Sequence, residues 1–154
     1  MTSATLTGPS ATRSGRWLLM AALALFTLLA FLPARPAMAS GALIAASNEA
    51  TAGLDACGTR KSADLYKCVA DVLDRLNARI APINVPETKR ALQTAAQELR
   101  SATSKTLAMS AIARCQSAIS AVIRQERAAG GEAKGLAAVA GVLSRAMRLI
   151  QSKG

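Results

Sequence analysis

Sixteen consecutive residues, Trp17 to Leu32, carry no charge and a single polar side chain, Thr27. A run this apolar has to be buried or enter a bilayer. At about 1.5 Å per helical residue it spans roughly 24 Å, short of a hydrocarbon core of about 30 Å. Met1 to Arg16 holds Arg13 and Arg16 and no acid, and Pro33 ends the apolar helix. Ala37-Met38-Ala39 then places small residues at alternating positions, the pattern accepted by a signal peptidase pocket. Residues 1–39 therefore read as a signal peptide cleaved after Ala39, with Ala37 and Ala39 as the recognised residues and Ser40 as the new N-terminus. Ser14 and Gly15 separate the two arginines, so a twin-arginine signal is not expected. The leader's arginines orient the chain with its C-terminal portion translocated. The alternative is an uncleaved anchor, because the run lies just below spanning length. A mitochondrial presequence fits less well, since the apolar block is solid, not amphipathic.

The remaining 115 residues, 40–154, are expected to form one domain. Trp17, Phe26 and Phe31 all lie in the leader, so Tyr66 is the only aromatic residue left. A core of Leu, Ile, Val, Met and much Ala favours closely packed helices over a sheet. Leu43, Ser47, Ala50, Leu54 and Cys57 give a modest helical spacing before Gly58. Leu65, Cys68, Val69, Val72, Leu73, Leu76 and Ile80 give the clearest stripe, with Ser62 as its expected cap and Pro82 beyond it. Asn84 and Glu87 resemble a capping box around Pro86.

The next stripe changes phase. Leu92, Ala95, Leu99 and Ala102 share one face, whereas Ala108, Ile112, Cys115, Ile119 and Val122 fall about half a turn away. Ser and Thr compete for backbone hydrogen bonds, so the slip across Ser101 to Thr106 predicts a break, not one long helix. Gly130-Gly131 ends that segment. A last helix is expected over about Glu132 to Gln151, with Leu136, Val139, Leu143, Met147 and Ile150 inward. The fold class predicted is all-α: a small bundle of four main helices plus a short leading helix, after the signal peptide.

The chain contains no histidine, which removes the commonest general base, His-dependent triads and most zinc sites. No Ser-x-x-Lys pattern and no phosphate-cradling glycine loop occurs. Asp64, Asp71 and Asp74 share a flank with Lys67 and Arg75, which reads as a solvated, charge-balanced face built on i,i+4 pairs. No catalytic residue, cofactor or metal ligand is assigned, and a non-enzymatic role is expected.

Three cysteines in an exported chain suggest one disulfide and one spare thiol. Cys68 and Cys115 each lie on the apolar stripe of a long helix. Alternating helices would run those two parallel, so Cys68–Cys115 is the expected bridge. Cys57 is the alternative partner of Cys68, disfavoured because a simple antiparallel turn sets Cys57 level with about Ala63. Three reduced core cysteines are expected only where the compartment is not oxidising.

Without the leader, 16 basic residues face 9 acidic ones, a net +7. Seven of each balance between Ser40 and Leu99, and from Arg100 onward nine bases face only Glu126 and Glu132. Lys134, Arg145 and Arg148 line one edge of the last helix and are the candidate contacts to an anionic envelope surface or an acidic partner. The reading favoured for that edge on its own is an ordinary bundle helix with its arginines in water. The bases are scattered and lack stacking aromatics, so nucleic acid is not an expected partner. Together these features predict an exported, periplasmic or secreted, binding or structural module, the runner-up being the same domain held at the membrane by an uncleaved leader, with an enzyme of unknown type third.

Overall fold

The structure is a computed structural model that describes residues 37–131 and 133–154. The apolar leader run lies outside the described residues. Five helices follow in chain order: α1 (Ala37–Cys57), α2 (Ser62–Arg79), α3 (Pro86–Ser101), α4 (Lys105–Ala128) and α5 (Lys134–Lys153). No strand occurs among the described residues. The all-α bundle is as expected, with one change of proportion. The leading helix is 21 residues long and a full member of the bundle.

The stripes read from the sequence are the buried faces, with Cys68, Val122 and Met147 only half-buried at their edges. Leu43, Ser47, Ala50, Leu54 and Cys57 of α1 are all buried, as are Leu65, Val69, Val72, Leu73 and Leu76 of α2, with Ile80 just past its end. The half-turn slip is a real break. α3 ends at Ser101 and α4 starts at Lys105, and Ser104 caps α4 by accepting from the Leu107 amide at 3.3 Å. That short polar link lets Leu92, Ala95 and Leu99 face the core on one helix and Ala108, Ile112, Cys115 and Ile119 on the next.

Two caps differ from expectation. Ser62 is the first residue of α2, with φ +50, and Lys61 holds the cap position without a side-chain hydrogen bond. Val85 caps α3 in place of Asn84, leaving Pro86 at the first helical position where its missing N–H costs nothing.

Each helix packs on its chain neighbour, and α1 also packs along α5 to close the ring. Successive helices alternate in direction, so α1 and α5 run parallel. Gly135 meets Ser40 and Leu43 near the starts of the two helices, and Lys153 meets Gly58 near their ends. Alanine and glycine permit the close approach. A Cβ on Gly135 would lie 2.8 Å from Leu43 Cβ, and one on Gly53 would lie 3.0 Å from a Val72 methyl. Tyr66 is buried at the far end, where Gly154 closes against its ring.

Candidate functional site

The cysteines correct the sequence-based expectation. Cys57 is bonded to Cys68, and Cys115 is the free, buried thiol. Cys68–Cys115 is not formed. The reason is the register of the α1–α2 hairpin. Cys57 lies against Cys68, Gly53 against Val72 and Glu49 against Arg79. Cys57 is thus level with a residue five positions beyond Ala63, a displacement of roughly 8 Å along the helix axis. The linker 58–61 can span about 13 Å when extended, so it carries the start of α2 well past the end of α1 before the chain turns back. The cysteine Cα atoms are 5.8 Å apart, within bonding range.

Cys115 sits on α4, beneath a groove of about 260 Å³ between α3 and α4 whose wall includes Ala91, Ala95, Ala111 and Glu98. Burial, with a smaller contribution from the Glu98 charge, pushes its thiol pKa up to about 12. A thiol so protonated is a poor nucleophile and metal ligand. No group of three metal-ligating side chains occurs among the described residues.

Four bases of the C-terminal half, Arg100, Arg114, Arg145 and Lys153, are joined to other parts of the bundle. Arg100 on α3 bridges Asp71 at 2.8 Å and Asp74 at 2.5 Å on α2. Its pKa is raised, first by the hydrogen bond to Asp71 and then by that to Asp74. These contacts replace the i,i+4 pairs expected along α2. Arg114 on α4 meets Glu98 on α3 at 2.8 Å, and Lys153 Nζ donates to the Gly58 carbonyl at 2.5 Å.

Arg145, one of the three candidate contacts, donates from Nε to Asp55 Oδ1 at 2.9 Å and closes a second contact through its Nη2. Arg148, three residues on, is exposed and has no ion pair among the described residues. With Leu54, Asp55, Gly58, Leu149 and Ser152 the two arginines line an open groove of about 280 Å³ between α1 and α5. Lys134 is exposed at the other end of α5, eleven residues and roughly 16 Å from Arg145. The structure therefore brings Arg145 and Arg148 together and leaves Lys134 apart. Sequence reasoning missed Asp55, whose partner is ninety residues away and leaves no local spacing to read.

α4 is the one described helix long and apolar enough to cross a membrane by length and composition. Its apolar stripe is buried against neighbouring helices here. No family model, curated protein or solved structure matches this chain.

Proposed function

We propose that the chain is an exported, disulfide-stapled helical module that binds an acidic partner or anionic envelope surface without catalysis. The Cys57–Cys68 bond carries the export reading. Structural disulfides persist in oxidising compartments, the destination that the leader implies. The proposed contact surface is the α1–α5 groove, where Arg148 offers a guanidinium unpaired among the described residues and Arg145 a paired one. Arginine forks suit carboxylate and phosphate oxygens. Asp55 already occupies Arg145, so an incoming anion competes with the protein's own carboxylate. That makes the contact weak, salt-sensitive and adjustable.

Co-sedimentation of the full chain with anionic and with neutral vesicles tests this surface, alongside retention on an acidic peptide column. The expected result is retention by one anionic probe that falls with added salt, falls with Arg148→Gln and rises several-fold with Asp55→Asn. Equal behaviour of all three proteins would overturn the groove assignment.

The membrane-held form is a second reading, favoured by one observation. α1 begins at Ala37, so the helix already contains the proposed cleavage junction.

A further inference from the structure

The junction between Ala39 and Ser40 lies in the first turn of α1, not in a linker. Ser40 is only 8% exposed, and Leu43, one turn on, is 4% exposed. What covers them comes from the far end of the chain. Gly135, in the first turn of α5, is buried against Ser40 and Leu43, so closely that a Cβ there would lie 3.0 Å from Ser40 Cα. Proteolytic processing is the addition of water across the Ala39–Ser40 amide, leaving a carboxylate on Ala39 and an α-ammonium on Ser40. A peptidase that takes its substrate extended cannot reach that bond while the first turn is wound and packed. Unwinding it would also expose Ser40 and Leu43 and detach them from α5.

We propose that docking of α5 over the start of α1 withdraws the Ala39–Ser40 bond from processing, so the leader is removed before the bundle closes or is retained. The order of translocation suits this. α5 crosses after α1, and until it arrives nothing from α5 covers Ser40. Fast processing yields a released domain, and fast closure yields the same domain still joined to its apolar leader. The two functional readings then become two outcomes of one kinetic competition. Cleavage ahead of closure is well accommodated, because Ser40 can then serve as the N-cap of the shortened α1.

This inference rests on the export reading, and the test separates the two. The full chain is made without peptidase, folded in detergent and given purified signal peptidase, with cleavage read by intact mass. Gly135→Leu, which has no room for its side chain, is compared with Gly141→Ala, which has no atom within 4 Å of the new Cβ. A chain ending at Gly131, which lacks α5, is the open reference. Cleavage after Ala39 is expected to be at least about ten-fold slower in the folded wild type and Gly141→Ala than in Gly135→Leu and the open reference. Equal, rapid cleavage of all four would overturn protection by α5 and leave the export signal standing. Failure to cleave even the open reference would remove the signal assignment, and the inference with it.

Discussion

Arg145 and Asp55 lie ninety residues apart in sequence and share a hydrogen bond of 2.9 Å through Nε and Oδ1. The contact joins the last helix to the first, along the seam where the ring closes. Both side chains are about half exposed, at 45% and 55%. Solvent screening limits such a pair to about 0–1 kcal/mol. Arg145→Gln is therefore expected to shift the urea midpoint only slightly, and the shift is expected to shrink further in high salt.

The disulfide contributes more. It closes a loop whose ends, Cys57 and Cys68, are eleven positions apart. Chain-entropy reasoning gives about 3 kcal/mol for a loop of this size. Reduction, or Cys57→Ala with Cys68→Ala, is expected to lower unfolding free energy by about that amount, measured by urea denaturation.

Cys115 predicts a pH dependence. Its pKa is near 12 in the fold against 9.0 as a free thiol, so the unfolded chain loses its proton first. The native state binds more protons across that interval, and its stability falls as pH rises from about 9 toward 12. Below 9 the contribution is fully present. Cys115→Ala is expected to flatten this alkaline loss in denaturation curves, and native Cys115 is expected to resist alkylation at neutral pH.

Two glycines on α5 are predicted to behave oppositely. Gly141 faces open space, so Gly141→Ala is expected to stabilise by about 1 kcal/mol through helix propensity. Gly135 has Leu43 Cβ only 2.8 Å from where its own Cβ would stand, and a Cβ cannot swing aside. Overpacking there is expected to cost about 1–3 kcal/mol. Thermal melts of the two variants check both signs.

The helices and their buried faces were legible because burial leaves a period in the sequence. Even the break before Lys105 was visible, as a half-turn slip between Ala102 and Ala108. Features set by how two helices dock were not. The slide that pairs Cys57 with Cys68 depends on how far the linker 58–61 climbs before turning, and periodicity is silent on this. Likewise, the charge asymmetry between the halves suggested one cationic surface. Arg100, Arg114 and Arg145 instead meet Asp71, Asp74, Glu98 and Asp55 across helix boundaries. Ion pairs between separate helices leave no fixed spacing. Ser62 and Asn84 show a smaller failure, of a kind common at helix ends, where a shift of one residue decides which side chain caps.

Peptide mapping of the protein recovered from the cell envelope or medium, without reduction, tests the account most directly. The result predicted is a cross-linked Cys57–Cys68 peptide, with Cys115 alkylated only after unfolding. Three free thiols, or a Cys68–Cys115 peptide, would contradict it.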